Sequence, residues 1–508
     1  MKKRVLSVLL LSTLLFAGRS EVISANKADK PYKPTWKSLS THQEIPEWLH
    51  DAKLGMYFHW GVYTVPAYFS EWYPYFMYRP GSAVYKHHQE TYGADFNYHD
   101  FVDDFTGEHF DAAEWAQLFK ESGARFAGPC ALHHDGFAMW DSDLTPWNAM
   151  DRGPKKDITG EMTKELKKLG LKTIATFHHA RNFQRNVNSP EEWVSSDNPY
   201  YGYNSHFAYD PTLITASDDP ELQMMYGNVP EDQFMEYWFN IIKEVADKYS
   251  PDMIWFDSWL NMIPEKLRQK MVAYYYNQAR KKGQDVTIGY KQEDLPLDVG
   301  ILDIEQGGKT DISERVWMTD ITISKRSWSY IDGQTYKESE VVLRNMIDVW
   351  SKNGVVLLNV SPTSHGVIPE AQREVLKPIG EWLAKYGESV YGTRPFLKYG
   401  FGTTTAKAGS HGGQSSTVEY SANDIRYALA KDNSALYVTF LGRPTPGKVI
   451  AFSDFAPHRY PIPGKVKRIT LLGTDIEAEF KPGTDKFLLT IPDAPMDEIA
   501  TVFKFELE

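Results

Sequence analysis

The sequence contains a single cysteine, Cys130, so no pair of thiols is present from which an intrachain disulfide could form. No cysteine lies directly after the N-terminal apolar segment, which excludes lipid attachment at that point. With 508 residues, the chain is long enough for two domains and for a core that is stable without cross-links. The cysteine count therefore excludes a small disulfide-stapled scaffold and any cluster of thiolate metal ligands.

Basic residues are also scarce relative to acidic ones. The formal net charge is -12, and Lys and Arg are not gathered into patches. Because phosphate backbones are bound by clustered positive charge, nucleic acid is excluded as a partner. The N-terminal apolar stretch, residues 5–17, is too short to form a stable membrane span.

The N-terminus instead has the pattern of an export signal. Basic residues at 2–4 precede the apolar residues 5–17, and small residues near Ser24 offer a cleavage site. We therefore expect residues 1–25 to be a signal peptide and the mature protein to be exported. An exported chain of this size without disulfides is typical of the periplasm of a Gram-negative bacterium.

Residues 33–395 alternate between helical and strand-like patterns. Apolar residues of segment 231–248 recur every three or four positions, which indicates an amphipathic helix, and an apolar run at 254–259 follows. Similar strand-like runs occupy 125–131, 171–177 and 354–360. Helices that alternate with buried strands predict a parallel α/β domain, and polar residues at the ends of many runs favour a (β/α)8-like (TIM) barrel.

Residues 396–508 have a different pattern. Short apolar or alternating runs are separated by Gly and Pro, without a helical period between them; they lie at 425–429, 435–440, 469–472, 487–491 and 502–505. This spacing predicts an antiparallel β-sandwich domain.

Polar residues end several of the predicted barrel strands: His59, His133, His134, His178, His179, Asp257, Glu305 and Asn359. Asp257 is notable because it closes a buried aromatic run, where an unpaired acid would be costly. Together with Glu305 it offers the two carboxyl groups that glycoside hydrolysis requires. The alternative is that both are ordinary strand-end carboxylates in salt bridges.

The histidines point to a binding pocket. Adjacent residues on a strand face opposite sides, so we expect one of His133 and His134 to face the pocket. Because the sequence has neither an HExxH motif nor a cysteine cluster, neutral imidazoles that bind hydroxyl groups are favoured over a zinc site. We therefore predict no metal and no cofactor. For any one of these histidines, the alternative is a core residue satisfied by the backbone.

Glu71 and Trp72 follow Ser70 in a loop rich in Tyr and Phe, and together they offer a carboxylate acceptor beside an aromatic platform. Sugar-binding clefts use this combination. Aromatic residues make up 14% of the chain, a surplus that fits such a cleft as well as it fits a large core.

Several blocks of the sequence, in the same order, resemble glycoside hydrolase family 29, the exo-acting alpha-L-fucosidases. The blocks are 53–61 with 65–66 and 70–73; 133–137 with Trp140, Ser142 and 153–157; 255–257; and 357–362 with Gly366, Ile368, Trp382, Gly387, Glu388, Tyr391, Arg394 and Pro395. The resemblance covers nearly the whole mature chain. It implies an exo-acting retaining enzyme that removes terminal alpha-L-fucose from fucosylated oligosaccharides or glycoconjugates.

The resemblance also implies roles for single residues. Asp257, in the motif Trp255, Phe256, Asp257, would be the nucleophile. Family members differ in the position of the acid/base; here Trp317 is followed by Met318 rather than by glutamate, which favours Glu305.

The resemblance further implies a sugar pocket. By match to the family, its hydroxyl-binding residues would be His59, Glu71, Trp72, His133 and His134. The methyl group of fucose would lie against Trp255 and either Phe58 or Phe256.

Two positions depart from the family pattern: His178 stands where many members have tyrosine, and Leu132 stands where many have lysine. His178 and Lys291, which takes the place of a pocket arginine, are also predicted to bind the substrate. The long polar insertion at 181–230 is interpreted as a loop that shapes the region receiving the rest of the glycan.

Two alternatives to fucose hydrolysis follow from the sequence. One is an exo-hydrolase for a similar sugar such as alpha-L-galactose, and the other is a non-catalytic fucose-binding relative. No pattern in the sequence indicates an oligomeric state.

Overall fold

The computed structural model describes residues 30–42, 45–184, 205–207, 210–404 and 417–508. The predicted signal peptide lies outside these residues, as does the part of the predicted glycan-facing insertion at 185–204. None of the described helices is both long enough and apolar enough to cross a membrane.

Eight parallel strands close into a barrel, and each strand pairs with its neighbours in chain order. They are β1 (Leu54–Phe58), β2 (Phe126–Leu132), β3 (Lys172–Phe177), β4 (Met253–Phe256), β5 (Thr287–Lys291), β6 (Ile301–Asp303), β7 (Trp317–Thr322) and β8 (Gly354–Val360). β1 pairs with β8 and thereby closes the ring. The strands predicted at 125–131, 171–177 and 354–360 are confirmed to within one residue.

The described α-helices are α1 (Trp36–Leu39), α2 (Glu47–Ala52), α3 (Tyr73–Phe76), α4 (Ala83–Thr91), α5 (Ala112–Glu121), α6 (Ile158–Lys168), α7 (Pro220–Tyr226), α8 (Glu231–Lys248), α9 (Glu265–Lys282), α10 (Ser339–Ser351) and α11 (Glu370–Tyr386). Short 3₁₀ segments occur at Val62–Thr64, Tyr98–Val102, His179–Arg181, Ile214–Ala216, Leu260–Met262 and Gly387–Ser389.

The outer layer of the barrel is built from α5, α6, α8, α9, α10 and α11. Segments 292–300 and 304–316, which join β5 to β6 and β6 to β7, are fully described and contain no α-helix. The predicted (β/α)8-like barrel is therefore confirmed, with two of its connections reduced to loops.

Side chains alternate between the inside and the outside of the barrel. On β4, Met253 and Trp255 join the apolar cluster inside the ring, whereas Ile254 and Phe256 pack against the outer helices. On β1, Phe58 points outward and packs on Trp115 of α5, with ring centroids 5.1 Å apart. The prediction that Phe58 or Phe256 contacts a sugar was wrong, because both lie one residue away from the inward-facing positions.

The C-terminal region is an antiparallel domain of two sheets. The larger sheet contains β9 (Thr393–Arg394), β10 (Gly400–Phe401), β11 (Ile425–Ala430), β12 (Ala435–Phe440), β14 (Val466–Leu471) and β17 (Thr501–Leu507); the smaller contains β13 (Val449–Phe452), β15 (Phe480–Lys481) and β16 (Phe487–Thr490). All five predicted strands overlap observed ones, and the predicted antiparallel architecture is confirmed. The exact domain limits, 33–395 and 396–508, stay predictions.

The two domains are joined by buried and half-buried ion pairs. Asp348 of α10 accepts from Arg426 Nε of β11 at 2.6 Å and from Lys352 Nζ at 2.7 Å. In α2, just before β1, Asp51 pairs with Arg394 of β9 at 2.7 Å and with Lys431 at 3.1 Å. These contacts place the C-terminal domain near the end of the barrel at which the strands begin.

Candidate active site

The opposite end of the barrel, where the strands finish, carries a ring of polar side chains. All eight strands contribute, either through residues near their carboxyl ends or through residues that follow: Tyr57, His59, His133, His134, His178, Asp257, Lys291, Asp303, Glu305, Asp320 and Asn359. Convergence of this kind is expected, because the carboxyl ends of all strands in a parallel barrel meet at one face.

Lys291, at the end of β5, is the centre of this site. Its ammonium contacts Asp257 Oδ1 at 2.9 Å, Glu305 Oε2 at 2.6 Å and Asp320 Oδ2 at 3.3 Å. It also lies 4.9 Å from the ring centroid of Trp255. Burial alone would lower the pKa of Lys291, but the surrounding carboxylates hold it well above its usual value. Lys291 is therefore a fixed positive charge.

Asp257 follows β4 and receives three contacts. Besides Lys291, His134 Nε2 and His178 Nδ1 lie 3.3 and 3.4 Å from its Oδ2. Burial raises the pKa of the carboxyl, but Lys291 and the two histidines outweigh it, and the pKa falls well below its usual range. This carboxylate is therefore ionised. Because 17% of its side chain is exposed, it is also within reach of a ligand.

Glu305 lies two residues beyond β6, and 16% of its side chain is exposed. The Lys291 ammonium contacts both Glu305 and Asp257. The two carboxylate oxygens that it contacts can therefore be no farther apart than the sum of the two contact distances. This upper limit is consistent with the separation of about 5–5.5 Å between the carboxyl groups of retaining glycosidases and lies below the roughly 6.5–9.5 Å of inverting ones.

A second pair of carboxyl groups, Asp303 and Asp320, lies beneath Lys291. Asp303 accepts from Trp255 Nε1 at 2.9 Å and from the backbone N–H of Asp320 at 3.2 Å. Asp320 accepts from the hydroxyl of Tyr57 at 3.0 Å. Burial raises the pKa of both groups, and the negative charge of Asp303 raises that of Asp320 further. The pair therefore retains a proton more readily than the two carboxyl groups would in water.

Trp255 is seated by a glycine on the neighbouring strand. Gly289 of β5 pairs with Trp255, and a Cβ at position 289 would lie 2.3 Å from Cδ1 of the indole. Any larger residue would displace the ring that bonds Asp303 and supports Lys291. Trp255 itself is fully buried, so it forms the floor of the site.

His133 and His134 both face the site, although the alternation of faces along a strand would turn only one of them toward it. The His133 ring lies 4.8 Å from that of His178, while His134 contacts Asp257. β2 ends at Leu132, so both histidines lie beyond the strand, where the alternation of faces no longer applies. Burial lowers the pKa of His134 to about 4 and that of His133 well below its usual value.

His59 is held by a single side chain. Asn359 Oδ1 accepts from His59 Nδ1 at 2.8 Å and from its backbone N–H at 3.0 Å. The amide nitrogen of Asn359 donates to the carbonyl of Trp328 at 2.7 Å, which fixes the orientation of the amide. Burial lowers the pKa of His59 to about 3, so the ring is neutral.

Glu71 and Trp72 border the site from the loop after β1. Glu71 Oε2 accepts from Ser327 Oγ at 3.1 Å and from the backbone N–H groups of Trp328 and Ser329 at 3.2 and 3.3 Å. Burial raises the pKa of Glu71 to about 7 despite these bonds. The Trp72 ring lies 5.6 Å from that of His134.

Residues with positive φ follow three of the ionisable groups. Trp259 (φ 82), Gln292 (φ 57) and Gln306 (φ 41) come shortly after Asp257, Lys291 and Glu305. Such conformations cost about 1–3 kcal/mol each and cluster at functional sites, where the surrounding structure enforces them. The turns after β4, β5 and β6 thus orient these ionisable side chains, and local backbone strain is the cost.

All ten residues singled out from the sequence border this one site, although their roles stay predictions. Sequence reasoning missed Asp303, Asp320 and His206, whose ring lies 5.3 Å from that of His134. Asp320 could have been identified from the sequence, because it lies inside the apolar strand β7 much as Asp257 lies at the end of β4. His206 could not, because its insertion follows no regular pattern.

Comparisons with known proteins agree with this geometry. The family model described as Alpha-L-fucosidase matches residues 21–388. The human tissue alpha-L-fucosidase is 26% identical over 519 residues, covering 100% of this chain and 98% of that protein. A putative alpha-L-fucosidase of Caenorhabditis elegans is 30% identical over 393 residues, covering 74% of this chain and 72% of that one.

Solved structures give the same result. The crystal structure of Thermotoga maritima alpha-fucosidase in complex with fucose superposes with a TM-score of 0.72 at 26% identity. The superposition covers 93% of this chain and 100% of that one. The likeness therefore extends over the barrel and the C-terminal sheets together.

Proposed function

The chain belongs to the alpha-L-fucosidase family, and from this membership we propose that it is a bacterial exo-acting enzyme that releases terminal alpha-L-fucose with retention of configuration. Its substrates are fucosylated oligosaccharides or glycoconjugates. The observation that carries the mechanism is the single ammonium of Lys291 in contact with both Asp257 and Glu305.

In the first step, Asp257 attacks the anomeric carbon of the fucosyl residue. The bond to the leaving oxygen breaks while Glu305 transfers its proton to that oxygen, and a covalent fucosyl-enzyme results. The depressed pKa of Asp257 supports this role, because a nucleophilic carboxylate must be ionised before the substrate arrives.

In the second step, Glu305 is ionised and takes a proton from water. The water oxygen bonds to the anomeric carbon, the ester bond to Asp257 breaks, and fucose leaves with its original configuration. One negative charge passes from Asp257 to Glu305 and back during the cycle. Lys291 contacts both groups, so it balances this charge at each stage without moving far.

Neutral imidazoles and one carboxyl group hold the sugar hydroxyls. His59, His133, His134 and His178 accept from or donate to hydroxyls, and Glu71 accepts from them. Trp72 supplies an aromatic edge to the pocket. Trp255 acts from below, because it is fully buried and holds Asp303 and Lys291 in place.

The cellular setting is also a proposal. The N-terminal basic and apolar segments support export, and the lack of disulfides supports a periplasmic location in a Gram-negative bacterium. Residues 1–25 act as the signal, 33–395 as the catalytic domain and 396–508 as the β-sandwich domain.

The test of the nucleophile compares two aspartates that flank the same strand. Asp257 follows β4, whereas Asp252 precedes it and pairs with Lys172 at 2.9 Å. Asp257→Asn should abolish hydrolysis of 4-nitrophenyl alpha-L-fucoside, and Asp252→Asn should keep the turnover of the folded enzyme. A 2-deoxy-2-fluoro fucosyl fluoride should label Asp257, as located by peptide mass spectrometry.

Two results would overturn the proposal. Full activity of Asp257→Asn would move the nucleophile elsewhere. Faster turnover of 4-nitrophenyl alpha-L-galactoside than of the fucoside would replace fucose as the substrate.

A further inference from the structure

Three buried histidines from neighbouring strands form a cluster in the site. His59, His133 and His178 each offer one ring nitrogen, and these nitrogens all lie within 4.8 Å of one another. The ring centroid of His59 lies 5.6 Å from that of His133 and 5.3 Å from that of His178. The proposed sugar chemistry uses these rings as separate hydrogen-bonding groups and does not require them to converge.

The tautomer of His59 suits a metal ligand. Asn359 presents its oxygen to His59 Nδ1, because its amide nitrogen is used by Trp328 and by the hydroxyl of Thr322 at 3.2 Å. Nδ1 therefore carries the proton, and the lone pair is on Nε2. A hydrogen bond that fixes the tautomer of an imidazole and orients its ring is a regular feature of metal-binding histidines.

His133 carries an unexplained polar atom. Its Nδ1 is buried and has no hydrogen-bond partner among the residues that the structure describes. A buried polar atom of this kind costs about 1–3 kcal/mol unless something satisfies it. A cation coordinated by this nitrogen would satisfy it.

We propose that His59, His133 and His178 bind a divalent transition metal ion of the Zn²⁺ class, and that the ion blocks the sugar pocket reversibly. Imidazole nitrogen is a preferred ligand of such ions, and three histidines leave the fourth position of a tetrahedral Zn²⁺ for water. The inhibitory part rests on the proposed function, because a nitrogen that coordinates metal is lost to a sugar hydroxyl. Metal binding itself does not rest on it.

A second cluster competes for the same ion and shares one histidine. His134, His178 and Asp257 also offer ligand atoms within 4.8 Å of one another. An ion there would contact a carboxylate whose other oxygen is held by the Lys291 ammonium at 2.9 Å. Two cations would then face each other across one carboxylate, so the three-histidine cluster is the better site.

Titration calorimetry with Zn²⁺ separates the two clusters. The wild-type chain, stripped of metal by a chelator, should bind one Zn²⁺, and Asp257→Asn should bind it as well. His59→Gln and His178→Gln should each weaken binding by at least about tenfold, since each removes a ligand. Circular dichroism and thermal melts check that the variants are folded.

Cobalt supplies an independent readout. Co²⁺ bound through three imidazoles should give visible absorption bands of tetrahedral type, and His59→Gln should abolish them. L-Fucose should displace the metal competitively, and Zn²⁺ should raise the KM for nitrophenyl fucoside without lowering kcat.

Three results would overturn the assignment. They are no Zn²⁺ binding to the wild type, binding that survives His59→Gln, and binding lost only in Asp257→Asn. A metal that binds as described while the fucoside is not hydrolysed would leave the site intact and refute the proposed function instead.

Discussion

Lys291 donates a hydrogen bond of 2.6 Å to Glu305, although both side chains are at least four-fifths buried. The same ammonium serves Asp257 and Asp320, so one cation offsets several acids in a space with little water. Breaking such a buried pair by removing one partner costs about 3–5 kcal/mol, because the remaining charges are left unpaired. Position 291 therefore couples the stability of the barrel to its chemistry.

Replacement of Lys291 by methionine should lower both activity and stability. We expect kcat/KM for nitrophenyl fucoside to fall by about 10²–10³-fold, since the charge that balances both proposed catalytic carboxylates is lost. The midpoint of urea unfolding should fall as well. Lys291→Arg keeps the charge and is the matched control, with a smaller loss of both quantities.

The double variant Lys291→Met with Asp320→Asn isolates the electrostatic cause. Asp320 contacts Lys291 at 3.3 Å, so neutralising it should recover part of the stability lost in Lys291→Met. Strictly additive losses in the double variant would show that the two charges are not coupled.

Glu305→Ala should be rescued chemically. With 2,4-dinitrophenyl alpha-L-fucoside, whose leaving group needs no proton, the first step should proceed and the second should stall. Added azide should restore turnover and yield a fucosyl azide of retained configuration, identifiable by NMR. Near-normal activity without azide would place the acid/base at another residue.

Glu71 should make stability depend on pH. Its pKa is about 7 in the folded chain against an ordinary 4.5, so the folded state binds the proton more tightly. The free energy of unfolding should then fall as the pH rises from 4.5 to about 7. The full effect is about 3 kcal/mol, and Glu71→Gln should remove it.

Urea unfolding at about pH 4 and about pH 8 measures this difference between wild type and Glu71→Gln. Glu90→Gln, at an exposed glutamate of α4, is the matched control and should leave the pH dependence unchanged. An equal pH dependence in wild type and Glu71→Gln would refute the assignment.

Asp348→Ala should loosen the contact between the domains. It leaves Arg426 and Lys352 buried without their carboxylate, at a cost of about 3–5 kcal/mol in the free energy of unfolding. Glu340→Ala on the same helix loses only an exposed contact of 4.0 Å with Arg344 and should cost less than about 1 kcal/mol. Comparable losses in the two variants would show that the buried pair adds nothing.

The barrel could be predicted from the sequence because its strands are apolar and end in polar residues. Period-two alternation would also have turned Phe58 and Phe256 outward, since Tyr57 and Trp255 point inward. The alternation does not hold at His133 and His134, because those residues lie beyond the end of β2. Where a strand stops is decided by pairing with its neighbours, which a single segment does not encode.

The electrostatic network was less accessible to sequence reasoning. Nothing near Lys291 in the chain indicates that it would meet Asp257, Glu305 and Asp320, which come from three other parts of the barrel. Contacts of this kind depend on closure of the ring and on the stagger of its strands. Asp303 and Asp320 became a pair only through the meeting of β6 and β7.

The ion pairs of Asp51 and Asp348 hold the C-terminal domain near the end of the barrel at which the strands begin, opposite the candidate active site. A tether attached at residue 508 would therefore hold the molecule by the side opposite that site. The enzyme could be displayed on a bead or a cell surface through this terminus with its pocket open to large glycans.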